Sequence, residues 1–172
     1  MMKVEDIKLL TGEGRYRVDV PLGHLVDKVD KWIEEMNLQL NPDFQRGHVW
    51  TLPQQIAFVE FILRNGKTSP IQFNHPNWMG NFKGEFVCVD GLQRLTAIIK
   101  FCKNELPVFG GVYLKDFDDA DLILRRYDIA IRINDLKTRK EVLNWYLELN
   151  SGGTPHSEEE ITKVQKMLES IK

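Results

Sequence analysis

Several kinds of functional site are excluded by what the sequence has little of. It contains only two cysteines, Cys88 and Cys102, and both lie inside apolar segments without a Cys-x-x-Cys spacing. We interpret them as buried small hydrophobic residues rather than metal ligands or a redox pair. The four histidines show no metal-ligand spacing, so no zinc site is predicted. A P-loop and a nucleophile–base pattern are also missing, which excludes a P-loop NTPase and gives no sign of a catalytic triad.

Long hydrophobic runs and long runs of one charge are missing too. No stretch approaches the ~18 apolar residues that a membrane span needs, and the first ten residues carry acids instead of the apolar core of a signal peptide. These features predict a cytoplasmic protein without a membrane partner. The formal net charge of -2, from 23 basic and 25 acidic residues, excludes a uniformly basic surface, so any anion site must be a local cluster.

The periodicity of apolar residues switches repeatedly between that of a strand and that of a helix. The chain of 172 residues is long enough for one domain with a sizeable core. We predict a single α+β domain over residues 1–172, with a small mixed sheet surrounded by five or six helices. The predicted strands are 15–22, 69–73, 86–89 and 128–134; the predicted helices are 22–36, 52–66, 92–102, 116–127, 138–150 and a C-terminal helix at 157–171; residues 75–85 form an insertion loop.

Two local patterns make these predictions more specific. Thr138 with Glu141 three residues on predicts a capping box at the start of the fifth helix. In the first helix, the spacing predicts one buried face made of Leu22, Leu25, Val26, Val29, Ile33 and Met36.

The stretch FVCVDGLQRLTA places an acid and a glycine between a buried strand and a helix. Such a junction has free backbone N–H groups and the positive end of a helix dipole, which favour anions. Gly91 permits a sharp turn, and the guanidinium of Arg94, beside Gln93 in the first helical turn, can bind a phosphate bidentately. Thr96 offers a hydroxyl one turn along. Alternatively, Asp90 caps the helix, Gly91 makes the turn and Arg94 is solvated.

Two further segments could join this junction. NPDFQRGHVW contains a second Gln-Arg pair, Gln45 and Arg46, in an irregular region, and the two pairs could converge on one polyanion. LNSGGTPHS follows the fifth helix as a donor-rich loop in which Asn150 could reach a ligand. The alternatives are an ordinary surface connection for the first segment, and a helix end, turn and next helix cap for the second.

Together these segments resemble a known family. NPDFQRGHVW, FVCVDGLQRLTAI and LELNSGGTPHSEEEI are similar, in order and approximate spacing, to three signature stretches of the N-terminal domain of GmrSD-type modification-dependent restriction proteins. That domain belongs to the ParB/sulfiredoxin-like superfamily. The resemblance covers roughly residues 15–165.

The resemblance implies a ParB/sulfiredoxin-like fold that binds a nucleoside triphosphate, with Mg²⁺ as an accompanying ion, near the Asp-Gly-x-Gln-Arg turn. In the family, nucleotide hydrolysis is coupled to DNA restriction or to sensing modified or foreign DNA. Carried over to this chain, the catalytic residues are Asp90, Gln93 and Arg94; the nucleotide-binding residues are Gln45, Arg46, Gly91, Thr96, Asn150, Gly152, Gly153 and Thr154. Asp90 is the residue expected to orient a water or Mg²⁺, since hard cations prefer oxygen ligands.

Three departures from the family pattern limit what the resemblance implies. Leu92 stands where the usual motif has Gln, and it can neither donate to a phosphate nor position a water, so NTPase activity stays open. His156 stands where the family often has Leu. No His-Asn-His segment follows the third stretch. We therefore expect a stand-alone copy without the C-terminal nuclease domain, of a kind that suits a phage genome, and no nuclease activity.

Two other classes of function remain as alternatives. A DNA-binding or nicking domain would need a basic cluster of Arg46, Arg94, Lys100, Arg125 and Arg126 to face one way. A non-enzymatic inhibitor or decoy of a host restriction or defence system would bind a protein partner or form a homodimer. For the latter, the last helix offers an apolar stripe of Ile161, Val164, Met167, Leu168 and Ile171, unless that stripe covers the chain's own core.

Overall fold

The fold is mixed α+β, as the sequence predicts. The computed structural model describes residues 10–12, 14–45, 47, 49–151 and 158–171. In these residues the elements are β1 (Tyr16–Pro21), α1 (Leu22–Met36), α2 (Leu52–Leu63), β2 (Ile71–Asn74), β3 (Val87–Asp90), α3 (Leu92–Cys102), a 3-10 helix (Leu114–Asp116), α4 (Ala120–Arg126), β4 (Asp128–Asn134), α5 (Arg139–Ser151) and α6 (Glu158–Ser170). The small mixed sheet with surrounding helices is therefore confirmed. Within the described ranges, no helix has the length and apolar character needed to cross a membrane.

The sheet has the strand order β1-β4-β2-β3. β1 pairs with β4 and β2 with β3 in antiparallel fashion, whereas β2 and β4 run parallel. Gln39 bridges the outer side of β3: its N–H donates to the Phe86 carbonyl at 2.9 Å, and its carbonyl accepts from the Cys88 N–H at 2.9 Å. β3 thus has backbone partners on both sides, and its last residue, Asp90, enters the turn before α3.

Near its C-terminal end, helix α1 buries Trp32 instead of the predicted Ile33. Trp32 is buried, whereas Ile33 is 41% exposed. The Trp32 ring stands edge-on to Phe73, Trp78 and Phe86, with ring centroids 5.3–5.6 Å apart. Because such edge-to-face aromatic pairs are favourable and helical spacing allows either residue to face inward, the larger aromatic ring occupies the core. The predicted burial of Ile33 is wrong.

The other face of β3 is covered by the last two helices. Val87 and Val89 pack in a cluster with Phe44 and side chains of α5. Val164 of α6 is fully buried in the same cluster, and Met167, Leu168 and Ile171 pack against it. These four members of the predicted apolar stripe therefore cover the chain's own core.

The 75–85 segment folds around a buried imidazole. The ring of His75 is fully buried and lies edge-on to Trp78, Phe82 and Phe86. Its Nδ1 accepts a hydrogen bond from the N–H of Asn77 at 3.1 Å, so the neutral ring carries its proton on Nε2, which is buried without a hydrogen-bond partner. Burial is the main cause that lowers the pKa of His75 below its ordinary value of 6.5.

This burial predicts a loss of stability in mild acid. Below about pH 6.5 the unfolded chain binds a proton at His75, whereas the folded chain does so only at lower pH. The contribution is therefore fully present above the unfolded pKa of 6.5 and is lost as the pH falls towards the folded pKa. We expect urea unfolding between about pH 8 and pH 5 to show a larger loss for the wild type than for His75→Phe. Equal losses would assign the dependence to other groups.

Candidate functional site

The turn between β3 and α3 requires a glycine. Gly91 is the N-cap of α3 and has a φ of 101°, in the left-handed region. A Cβ at this position would lie 3.1 Å from both γ carbons of Ile71 and 3.2 Å from Nη2 of Arg94. Only glycine avoids both the backbone strain and this contact. Because glycine has no side chain that could cap the helix, the first N–H groups of α3 receive no cap from the N-cap residue.

Arg94 is buried and binds the protein itself. Its Nη2 forms an ion pair with Oδ2 of Asp90 at 2.8 Å and also donates to the Pro70 carbonyl at 3.3 Å. Its Nη1 donates to the carbonyl of Ser69, to the Ser69 Oγ at 2.8 Å and to the Thr68 Oγ1 at 3.3 Å. The side chain is 11% exposed. Arg94 therefore joins the Asp90–Gly91 turn to the segment that leads into β2.

These contacts overturn the alternative in which Asp90 caps helix α3 and Arg94 is solvated. Arg94 is not solvated, and the N-cap is Gly91 rather than Asp90. An arginine in the first turn of a helix is electrostatically unfavourable, and the Asp90 carboxylate compensates for this charge. The Asp90 side chain is 38% exposed, so a buried arginine holds a carboxylate that solvent can still reach.

The two Gln-Arg segments meet at this turn. Oε1 of Gln93 accepts hydrogen bonds from the N–H groups of Val49 at 2.9 Å and Trp50 at 3.0 Å, and its Nε2 donates to the Gly47 carbonyl at 2.7 Å. Nε2 of Gln45 donates to the carbonyl of Cys88 in β3. The segment around Gln45 is therefore fastened to both β3 and the first turn of α3. The convergence of the two pairs on one polyanion stays a prediction.

The other predicted site residues are placed differently or not described. Thr96 donates its hydroxyl to the Leu92 carbonyl at 2.8 Å, and the Asn150 amide donates to the Tyr146 carbonyl at 2.6 Å. Both are bonds to the preceding turn of the same helix, and neither joins its residue to the Asp90–Gly91 turn. The remaining predicted residues lie outside the described residues: Arg46, Gly152, Gly153 and Thr154, together with His156.

The acceptors for Arg94 are a part of the site that the sequence did not reveal. Thr68, Ser69 and Pro70 come before β2 and more than twenty residues before Arg94 in the chain. Two of the acceptors are backbone carbonyls, which every residue possesses, so no residue type marked this segment. The sequence predicts a strand that includes Ser69 and Pro70, whereas β2 begins at Ile71.

The basic cluster that the DNA-binding alternative requires does not form as predicted. Arg94 is buried. On α4, Nε of Arg125 donates to the Asp121 carbonyl at 3.2 Å, and the Arg126 guanidinium lies over the Tyr127 ring. Arg94 therefore adds no positive charge to an exposed surface with Lys100, Arg125 and Arg126.

The cysteines fit the structural role expected of them. Both are free; Cys88 is fully buried, and Cys102 is partly buried between two core clusters. Burial raises the pKa of the Cys88 thiol well above its usual range and that of Cys102 to about 12. Both thiols therefore remain protonated and unreactive at neutral pH.

Comparison with known families identifies the class of this domain. Residues 25–128 match the family described as GmrSD restriction endonuclease, N-terminal domain. This is more than half of the chain, and it includes both Gln-Arg segments and the Asp90–Gly91 turn. The chain belongs to this family of restriction-system domains. The resemblance noted in the sequence extends further, since its third stretch lies beyond residue 128. Comparison with curated proteins and with solved structures gives no significant match.

Proposed function

We propose that this domain binds a nucleoside triphosphate at the Asp90–Gly91 turn. The observation that carries the proposal is the fastening of two separate Gln-Arg segments around one helix N-terminus that has no side-chain cap. Backbone N–H groups and the helix dipole at such a position favour phosphate. The membership of the chain in a restriction-endonuclease domain family supports a role in a restriction or phage-defence system.

Asp90 supports the participation of Mg²⁺. Magnesium is commonly held by one or two carboxylates together with the phosphates of the substrate. The Asp90 carboxylate is fixed by Arg94 and remains 38% exposed, so it fits the role of the single protein ligand. In this arrangement Arg94 is a positioning residue, because it acts on the ligand through Asp90.

The proposal concerns binding and does not extend to hydrolysis. Leu92, which stands where the family motif has Gln, is 7% exposed and belongs to the main core cluster. A buried leucine cannot orient a water. Gln93, the remaining amide of the motif, is engaged by three backbone groups of the 47–50 segment.

Thermal unfolding with each of the four common nucleoside triphosphates, with and without Mg²⁺, tests this proposal. A ligand that binds only the folded state at one hundred times its Kd adds about 2.7 kcal/mol. At about 2–4 °C per kcal/mol for a domain of this size, we expect the melting temperature to rise by roughly 5–11 °C. The part of the rise that depends on Mg²⁺ should disappear in Asp90→Asn.

A matched control is Asp30→Asn. Asp30 is an aspartate of similar exposure, paired with Lys103 at 3.0 Å, and its replacement should leave the nucleotide effect unchanged. If none of the nucleotides shifts the melting curve of the wild type at millimolar concentration, the proposed function is wrong. If Asp90→Asn and the wild type respond equally to Mg²⁺, Asp90 is not the magnesium ligand.

A further inference from the structure

Helix α2 is apolar on its outer side as well as on its inner side. Val59 and Ile62 are buried against the core. On the opposite side, Pro53, Ala57 and Phe61 are exposed and recur every four residues. Because residues four apart lie one above another on a helix, they form a straight row about 12 Å long, which we call the α2 stripe. A surface helix normally carries polar and charged residues on this side.

The apolar surface continues beyond both ends of the α2 stripe. Val49 and Leu52 are exposed at its beginning, and Phe109 is exposed at its end. Phe109 is held on α2, because its N–H donates to the Glu60 carboxylate at 2.6 Å and the Arg64 guanidinium lies over its ring. The described residues expose nine large hydrophobic side chains, and four of them are on or beside this one helix. Such a concentration marks an interaction surface, whereas scattered apolar residues do not.

This surface has little charge with which to bind an acidic or a basic partner. Helix α2 contains one ionisable residue, Glu60, and its carboxylate accepts the hydrogen bond from Phe109. Arg64 follows the helix and lies over the Phe109 ring. The exposed amide of Gln54 accepts from the N–H of Thr51 at 2.8 Å. Depletion of charged residues is typical of the centre of a protein–protein interface, so the surface fits a neutral, apolar partner.

A second copy of the α2 stripe is such a partner. A two-fold axis at Ala57 places Phe61 of one protomer against Pro53 of its partner, and Pro53 of the first against Phe61 of the second. The same contact therefore fills both ends of the interface, as an isologous pairing requires. The small side chain of Ala57 lets the helices approach closely where their rows of i±4 residues cross. The two helices also run in opposite directions, so the ends of their dipoles attract each other.

The charges near the α2 stripe are compatible with this symmetry. Glu60 lies three residues after Ala57, so the axis places it near Gln54 of the partner, three residues before Ala57. Arg64 lies seven residues after Ala57 and comes near Trp50 of the partner. No like charges meet across the axis.

We propose that this chain forms a two-fold symmetric homodimer in which α2 of one protomer crosses α2 of its partner at Ala57. The α2 stripe is short compared with an interface of standard size, which buries about 800 Å² on each partner, so we expect a weak dimer with a Kd of about 10–100 μM. The dimer forms whether or not a nucleotide binds. Its interface begins next to the proposed nucleotide site, since the N–H of Val49 binds Gln93 at 2.9 Å.

Sedimentation or light scattering of the full chain between about 5 and 500 μM, a range that brackets this Kd, tests the proposal. We expect the wild-type mass to rise from 20.1 kDa towards twice that value. Ala57→Arg should stay monomeric, because it places two like charges on the axis, and its melting temperature at low concentration verifies the fold. The matched control is Ile33→Arg at an exposed apolar position of α1, which should dimerise like the wild type. A wild type that is monomeric throughout, or equal dimerisation of Ala57→Arg, would overturn the proposal.

Cross-linking tests the position of the axis. In Ala57→Cys the two new thiols lie on the axis, so a short bismaleimide should join them into a covalent dimer. Ile33→Cys, away from the axis, should not be joined, and the wild type gives the background from the buried Cys88 and the partly buried Cys102. If Ala57→Cys is joined no more efficiently than Ile33→Cys at a concentration where the wild type is dimeric, the copies meet through another surface and the proposal is wrong.

Discussion

Replacing Arg94 with alanine is expected to lower the free energy of unfolding by about 2–4 kcal/mol. Loss of one partner from a fully buried ion pair costs about 3–5 kcal/mol, and the value is lower here because Asp90 is 38% exposed to screening by water. The carbonyls of Ser69 and Pro70 lose a donor as well. Urea unfolding of the variant and the wild type measures the difference.

Arg94→Lys tests whether the contacts of Arg94, and not its charge alone, stabilise the fold, and Arg125→Ala is the control. Arg94→Lys keeps the charge but cannot reproduce the planar fork that serves Asp90 and the 68–70 segment together, so we expect an intermediate loss. Arg125→Ala, at an exposed position, should change the stability by less than about 0.5 kcal/mol. If Arg94→Ala is as stable as the wild type, the contacts that join Arg94 to Asp90 and the 68–70 segment do not stabilise the fold.

Gly91→Ala is expected to lower the free energy of unfolding by a different mechanism, also by about 2–4 kcal/mol. A residue with a Cβ pays about 1–2 kcal/mol in the left-handed region. The new Cβ would also lie 3.1 Å from two carbons of Ile71, which is fully buried, and such overpacking adds about 1–3 kcal/mol. Chemical unfolding of the variant gives the value directly.

Gly110→Ala is the control that isolates the backbone effect. Gly110 has a φ of 82°, and a Cβ there would meet no atom within 4 Å. We expect this variant to lose only the backbone contribution of about 1–2 kcal/mol. If the two glycine variants lose equal stability, the close approach of Ile71 does not constrain the turn.

Most of the fold prediction rested on the periodicity of apolar residues and on local helix-capping patterns. β4 and α1 occur with the predicted bounds, because alternation and helical spacing are properties of neighbouring residues. The capping box is confirmed as well: the Glu141 N–H donates to the Thr138 Oγ1 at 3.2 Å, and the Thr138 N–H donates to a Glu141 carboxylate oxygen at 2.8 Å. Such contacts span three residues, so the sequence contains all that decides them.

The candidate site was only partly predictable because its contacts join distant segments. A repeated Gln-Arg pair suggested that two regions converge, and Gln93 does bind the 47–50 segment. These hydrogen bonds join the Gln93 side chain to backbone groups, however, so the residue types of the 47–50 segment do not encode them. The burial of Arg94 was missed for the same reason, since an arginine in a first helical turn is usually exposed and its acceptors come from the loop before β2.

The most direct test of the nucleotide site is a titration followed by the backbone amide signals in ¹⁵N–¹H NMR spectra. A non-hydrolysable nucleoside triphosphate with Mg²⁺ is added to the uniformly labelled chain. Phosphate binding at the Asp90–Gly91 turn predicts the largest shifts at the amides of residues 91–94, with the 47–50 segment following. Unchanged signals at this turn, with shifts confined to another surface such as the α1 groove lined by His24, Lys28 and Lys31, would contradict it.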